Sequence, residues 1–252
     1  MKSGITSFVL LTLPWLCNAQ PYSQADYLAM IEQYVERAVN IYDGNWAYSY
    51  TTQDWIDNES VTRRIDPSLP FLQSDRILAE NGAPPSVERI ERHERRMQRR
   101  LQRRQERRQD RALVDEERER EGSEKERFMA LLIPDSIKLV KQEGELHTIE
   151  FRGMEEDRRK IYEHLVGRLV LDTRQQFIRE LQVEVIQAFS PYIFMRVNSG
   201  QFTMRFELRN GEPVQTDATW ELDGHILYIK ELDRKEDTQW FDINRVVPDT
   251  ES

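Results

Sequence analysis

Four histidines are the first candidates for chemistry, because imidazole binds metals and transfers protons near neutral pH. They are His93, His147, His164 and His225, each isolated from the others in the sequence. The chain contains neither a His-x-x-x-His pair nor a His-Glu-x-x-His motif, which would put two metal ligands on one helix face. The sequence therefore predicts no metal site and no cofactor. A hydrolase built around one of the last three histidines is the enzymatic alternative.

Motifs for nucleophilic catalysis and phosphate binding are also missing from the sequence. There is no Gly-x-Ser-x-Gly nucleophile turn and no glycine-rich phosphate loop. Ser68 and Ser199 have turn-like neighbours, where serine commonly bonds to the backbone. The acids of 155–157 begin a short predicted helix over 155–164, where negative charge favours the helix dipole. We therefore predict no catalytic residues and no enzymatic activity.

Arginines are concentrated between residues 86 and 127. This run holds 15 Lys+Arg and 12 Asp+Glu, and residues 92–111 hold ten arginines against three acids. Strong helix formers and acid-first pairs such as Glu88–Arg92 predict a charged helix over 86–127. Its candidate contacts with a polyanion or partner are Arg95, Arg96, Arg99, Arg100, Arg103, Arg104, Arg107 and Arg108.

Several roles remain open for this charged run. Its arginine pairs recur every four residues, so the positive stripe winds around the helix, and few large apolar residues accompany it for membrane insertion. A heptad-like seam fails after two repeats, which leaves at most a short oligomerising coiled coil. The alternatives are a solvated spacer, docking on the protein's own acidic surface, or contact with an acidic envelope partner or anionic surface. Nucleic acid is disfavoured, because an exported protein seldom meets it.

Aromatic side chains suggest an apolar ligand site. Aromatic residues alternate with small ones over 46–51, which is typical of a strand with an aromatic face. Segment 192–197 is apolar on both faces, so it is either a covered central strand or the lining of a cavity. The competing interpretation is a plain hydrophobic core. The candidate ligand-binding residues are Trp46, Tyr48, Tyr50, Tyr192, Phe194 and Trp220.

The N-terminus predicts export. Lys2 and the apolar run 8–16 precede small residues at 17–19, so residues 1–19 have the form of a cleaved signal peptide and the expected location is the periplasm. Lipid attachment at Cys17 is less favoured, because a leucine precedes it where lipoprotein signals have a small residue. No later apolar stretch is long enough to span a membrane. The single cysteine excludes a disulfide scaffold.

The mature chain predicts one amphipathic helix and many strands. Residues 23–26 have the form of a capping box, and apolar residues then recur at spacings of three and four up to residue 42. Beyond residue 128, apolar and polar residues alternate between turn signals such as Asn210-Gly211 and Asp223-Gly224. Tight turns without crossover helices predict an antiparallel meander with one apolar and one solvated face.

Two stretches resemble a group of uncharacterised exported proteins of Gram-negative bacteria. One runs from Trp46 to Thr52, with Asp66-Pro67-Ser68 and residues 81–86 after it; the other is 164–172. The layout of helix, aromatic strand and meander also resembles the periplasmic lipoprotein-carrier and outer-membrane lipoprotein-sorting architecture. That resemblance implies an open, curved sheet around helices, with an apolar hollow for an apolar or lipid ligand. The charged run departs from this pattern.

We therefore predict an α+β fold in which a curved, mostly antiparallel sheet packs on an N-terminal helix, with a long charged helix inserted. The early strands near 45–65 should join the late sheet, because two strands alone are barely stable. The expected function is non-enzymatic binding or carriage of a lipid-like ligand; the alternative is an interaction or scaffold module acting through the charged helix. The predicted segments are 1–19 (signal), 20–85 (helix and first strands), 86–127 (charged helix), 128–247 (main sheet) and 248–252 (tail).

Overall fold

The computed structural model describes residues 22–42, 48–56, 59–109, 124–130, 132–153, 162–192, 194–226 and 230–246. The predicted signal peptide with Cys17, residue Trp46 and the tail lie outside these residues. Most of the short helix predicted over 155–164 also lies outside the described residues. Its described end is a 3₁₀ turn, Tyr162–His164.

In the described part of the chain, eleven strands form one antiparallel sheet. Along the path the order is β3-β2-β1-β11-β10-β9-β7-β6-β5-β4, and β8 pairs with β9 beside it. The strands are β1 Tyr48–Ile56, β2 Glu59–Ile65, β3 Asp75–Glu80, β4 Lys138–Glu143, β5 Leu146–Phe151, β6 Leu165–Asp172, β7 Phe177–Val185, β8 Phe189–Tyr192, β9 Met195–Arg209, β10 Glu212–Ile226 and β11 Lys230–Arg245.

The predicted α+β class is wrong, because this sheet dominates the molecule and helices contribute only a minor layer. The helices are α1 Gln24–Tyr42, α2 Val87–Gln109 and α3 Glu124–Ala130. A long charged helix over 86–127 is not seen. The charged helix α2 ends at Gln109, and residues 110–123 lie outside the described part of the chain.

The early strands join the late ones, as predicted. β1 pairs antiparallel with β11 from Tyr48 opposite Arg245 to Ile56 opposite Glu236. The last strand of the meander therefore lies between the first hairpin and the rest of the sheet. The pairing covers main-chain groups on both strands that would otherwise form exposed edges.

Helix α1 begins with the predicted capping box. The Ser23 backbone N–H donates to Asp26 Oδ2 at 2.7 Å, and the Asp26 N–H donates to Ser23 Oγ at 3.2 Å. Its apolar stripe, which includes the fully buried Ile31, packs on β5, β6 and β7. The core consists of Tyr27, Ile31, Tyr34, Val35, Leu132, Ile137, Ile149, Phe151, Leu169, Leu171 and Ile178.

The opposite face of the sheet is charged. The Glu150 carboxylate on β5 forms salt bridges with Lys138 at 2.8 Å and with Arg168 at 3.3 Å. Arg168 also forms a salt bridge with Glu184 at 2.9 Å. Arg205 pairs with Glu180 farther along the same face. Over β5, β6, β7 and β9, one sheet face is therefore apolar and the other is polar, which matches the alternation in the sequence.

Two turn predictions have different outcomes. Asn210 and Gly211 both have positive φ, 53° and 80°, and join β9 to β10, as predicted. Asp223 and Gly224, by contrast, lie inside β10 at a register shift against β9. A Cβ on Gly224 would lie 2.2 Å from the Arg196 carbonyl oxygen, so this glycine allows close backbone approach at a bulge rather than a turn.

Strand β3, between Pro70 and Pro84, is only six residues long. One further expectation needs correction. Segment 192–197 is not a doubly covered central strand, because β8 ends at Tyr192 and β9 begins at Met195. Of its apolar side chains that the structure describes, Phe194 is exposed, and Met195 and Val197 line the hollow described below.

Candidate functional site

An apolar hollow of about 730 Å³ opens on the helix side of the sheet. Its walls come from one end of β6, from β7 and β8, and from the neighbouring parts of β9 and β10. Its volume is within the range of small-molecule sites, and its walls are predominantly apolar, as in such sites. The main apolar lining residues are Leu165, Val183, Val185, Phe189, Met195, Val197, Phe202, Trp220 and Leu222.

Strand register explains why these side chains meet. Val183 lies opposite Phe202, and Phe202 lies opposite Trp220, without a register shift at either pair. Directly opposed residues on neighbouring antiparallel strands point to the same face of the sheet. The ring centroids of Phe202 and Trp220 are 5.9 Å apart. The Trp220 side chain is 45% exposed, so the hollow has an aromatic wall that is open to solvent.

A second, polar cleft of about 650 Å³ lies where α2 crosses β1, β2 and β3. On the sheet side, Arg63 of β2 pairs with Asp54 at 3.1 Å and Asp75 at 3.5 Å. On the helix side, Arg89 pairs with Glu80 at 3.3 Å. The lining residues are Asp54, Ile56, Glu59, Val61, Arg63, Ile77, Arg89, His93 and Arg96.

Helix α2 is held on these strands by its least polar face. Met97 is 3% exposed and His93 is 8% exposed. The Nε2 atom of His93 lies 2.9 Å from the Asp75 carbonyl oxygen. About two turns beyond Met97, the Arg104 guanidinium stacks over the Phe71 ring at 5.7 Å. The first part of the charged run therefore docks on the protein's own sheet.

The predicted arginine contacts on α2 divide into different environments. Arg95 pairs with Glu91 on the helix itself, and Arg96 lines the polar cleft. Arg99, Arg100 and Arg103 are exposed. The side chains of Arg107 and Arg108 lie outside the described part of the structure. The eight arginines are thus not one continuous binding face.

The predicted aromatic ligand residues are not brought together either. Tyr48 is 5% exposed, and its hydroxyl donates to Glu212. Burial, followed by this carboxylate, raises the pKa of Tyr48 to about 12. Tyr48 is eight residues from Ile56, the β1 residue level with Trp220, which corresponds to roughly 26 Å of strand.

Of the other predicted residues whose side chains the structure describes, only Trp220 lines the hollow. Burial raises the pKa of the Tyr50 hydroxyl to about 12. The nearby charge of Arg63 lowers this pKa, and the charges of Asp75 and Asp54 raise it. Tyr50 therefore belongs with the polar cluster below α2. Phe194 is 52% exposed. Trp46 and the side chain of Tyr192 lie outside the described residues.

The four histidines have four separate environments. The Nδ1 atom of His147 lies 3.1 Å from the Tyr27 hydroxyl in the core, and His164 stacks on Phe189 with centroids 5.1 Å apart. His93 contacts Asp75 below α2, and His225 Nδ1 contacts its neighbouring carbonyl. Within the described ranges, no three His, Cys, Asp or Glu side chains are grouped to hold a metal ion.

Sequence reasoning missed most of the lining of both cavities. The signal for the hollow was present in the alternation of Leu181, Val183 and Val185 and of Phe202 with Met204. Alternation identifies a buried face but does not tell where helix α1 stops covering it. Nothing in the sequence indicated that Arg63 and Arg89 would share a cleft, because they come from different elements.

Comparisons of the chain with protein-family models, curated proteins and solved structures give no match. No helix among the described residues is long and apolar enough to cross a membrane.

Proposed function

We propose that the protein is an exported, periplasmic, non-enzymatic binding protein that holds the apolar chain of a lipid-like ligand in the hollow. The resemblance of its layout to periplasmic lipoprotein carriers supports the same function. The observation that carries the proposal is the apolar hollow of about 730 Å³ with Trp220 half exposed on its wall.

This apolar wall stays in contact with water unless a ligand covers it. Each methylene group moved from water into an apolar site contributes roughly 0.8 kcal/mol. The hollow offers Val183, Phe202 and Trp220 side by side as a contact surface for such a chain. Its walls contribute few polar groups, so chain length rather than a precise hydrogen-bond pattern should determine affinity.

The test is binding of a fluorescent fatty acid and its displacement by dodecanol. Val183→Phe fills the hollow and should weaken dodecanol binding by about tenfold or more, since lost burial of two methylenes already corresponds to that factor. The matched control is Gln182→Phe, the same new side chain on the opposite face of β7. Circular dichroism and the melting temperature of both variants check that each is folded.

Two outcomes would contradict this function. One is that wild-type protein binds neither the fatty acid nor dodecanol. The other is that a folded Val183→Phe variant binds dodecanol as well as the Gln182→Phe control does. Export is tested separately by fractionating a Gram-negative host and measuring the mass of the mature chain, which should begin at Gln20. Full-length protein retained in the cytoplasm would contradict it.

The alternative function is an interaction module acting through α2. The observation that favours it is that Arg100 and Arg103 are exposed and form no hydrogen bond or ion pair with the described part of the chain. Exposed arginines of this kind attract anionic surfaces in a salt-dependent way. The double change Arg100→Glu/Arg103→Glu should abolish co-sedimentation with vesicles containing anionic lipid and leave fatty-acid binding unchanged. Equal co-sedimentation of wild type and variant would contradict this alternative.

A further inference from the structure

The apolar hollow and the polar cleft lie on the same face of the sheet and in the same row of cross-strand partners. Trp220 of β10 lies opposite Glu236 of β11, and Glu236 lies opposite Ile56 of β1. Neither ladder has a register shift at these pairs, so the three side chains point to one face. Trp220 lines the hollow, and Ile56 lines the cleft.

The separation of the two cavities is correspondingly short. Trp220 and Ile56 are two strands apart, which is roughly 10 Å at the usual interstrand distance. In this row of described residues, Glu236 lies between them, and its carboxylate pairs with Arg234. The Glu236 side chain is 34% exposed, so this connection is open to solvent rather than filled by core residues.

The cleft contains cationic donors that the protein does not fully use. Arg96 lines it and forms no ion pair or hydrogen bond with the described residues. Arg89 Nε lies 3.3 Å from Glu80 Oε1, yet this buried atom has no hydrogen-bond partner among the described groups. Leaving such a donor unpaired is unfavourable, and an anionic ligand would satisfy it.

The carboxylates around the cleft pair with Arg63 and Arg89 and leave Arg96 unpaired among the described residues. Asp54 is occupied by Arg63, which also reaches Asp75. Glu59 is the remaining acid of the lining, at the start of β2 and opposite Ile56. Glu80 pairs with Arg89, so Arg96 is the one arginine of the lining without an ion pair among the described residues.

We propose that the hollow and the cleft form one bipartite site for a single-chain amphiphile with a phosphate or carboxylate headgroup. The apolar chain occupies the hollow beside Trp220, and the anionic group lies in the cleft, where Arg96 and Arg89 donate to it. This inference rests on the proposed function and specifies its ligand class. Helix α2 thereby contributes part of the ligand site, in addition to covering the early strands.

The test compares dodecyl phosphate, dodecanol and inorganic phosphate by calorimetry on the full-length chain. Dodecyl phosphate should bind at least tenfold more tightly than dodecanol, because charge-assisted hydrogen bonds add to chain burial. Arg96→Gln should remove most of that gain and leave dodecanol binding unchanged. Arg103→Gln is the matched control, since it removes the same charge from an exposed position of the same helix outside the cleft.

The outcomes separate this inference from the proposed function. If dodecanol binds but dodecyl phosphate binds no more tightly, the hollow is a chain site and the bipartite inference is overturned. It is also overturned if Arg96→Gln and Arg103→Gln weaken dodecyl phosphate equally, or if inorganic phosphate binds as tightly as dodecyl phosphate. If no alkyl compound binds at all, the proposed function itself is refuted.

Discussion

The phenol of Tyr27 on α1 lies 3.1 Å from Nδ1 of His147 on β5, and both side chains are buried. This hydrogen bond joins helix α1 to the second strand from one edge of the sheet. Their rings also meet edge to face at 5.8 Å. The contact satisfies polar atoms that would otherwise be stranded in an apolar layer.

Tyr27→Phe should therefore lower the free energy of unfolding by about 1–2 kcal/mol, because His147 loses a buried partner while the ring packing is kept. Urea denaturation measures the change. Tyr22→Phe is the matched control, since Tyr22 also contacts the His147 ring but is 45% exposed. Equal losses of unfolding free energy in the two variants would show that the buried hydrogen bond does not stabilise the protein more than the exposed ring contact does.

Gly167 on β6 is covered by the ring of Phe151 on β5. A Cβ at position 167 would lie 2.1 Å from Phe151 Cζ, closer than any real contact. Gly167→Ala should consequently destabilise the protein by about 2 kcal/mol or more, through overpacking of the sheet.

A double-mutant cycle separates this clash from a backbone effect. Phe151→Leu makes room above residue 167, so the combined variant should be more stable than the sum of the two single changes implies, by about 1 kcal/mol. Thermal or urea unfolding of the four proteins gives the coupling. Strictly additive changes in unfolding free energy would mean that the Phe151 ring does not cause the destabilisation by Gly167→Ala.

Glu150 should govern part of the acid sensitivity of the fold. Its hydrogen bond from Lys138, followed by Arg168, lowers the pKa of the Glu150 carboxyl below its ordinary value of 4.5. A carboxyl with a lowered folded pKa contributes stability that is present above its unfolded pKa and is lost as pH falls through the folded value. The affected window therefore lies below about pH 4.5.

Glu150→Gln should cost about 1 kcal/mol at pH 7 and make unfolding stability less dependent on pH below that value. Denaturation at a series of pH values measures both effects. The control is Glu143→Gln, whose carboxylate pairs with Lys141 but is 62% exposed. If the stability of Glu150→Gln depends on pH below about 4.5 as strongly as that of the wild type, Glu150 does not govern this acid sensitivity.

The sequence by itself determined the local elements. The Ser23–Asp26 box specified the start of α1, and Asn210-Gly211 specified a hairpin turn, because these signals act between residues a few positions apart. Alternation after residue 136 likewise predicted antiparallel strands with two unlike faces. The Asp223-Gly224 signal failed because glycine also serves a bulge, and only the partner strand distinguishes the two uses.

Only the tertiary structure decided the class of the fold and the candidate sites. The balance between sheet and helix depended on how many strands joined one layer, including the pairing of β1 with β11 across most of the chain. The hollow exists because α1 covers Leu169 and leaves Trp220 half exposed, and the cleft exists because α2 carries Arg96 over β1. Strand register and helix docking bring these residues together from distant parts of the sequence. A pattern of neighbouring residues encodes neither the register nor the docking.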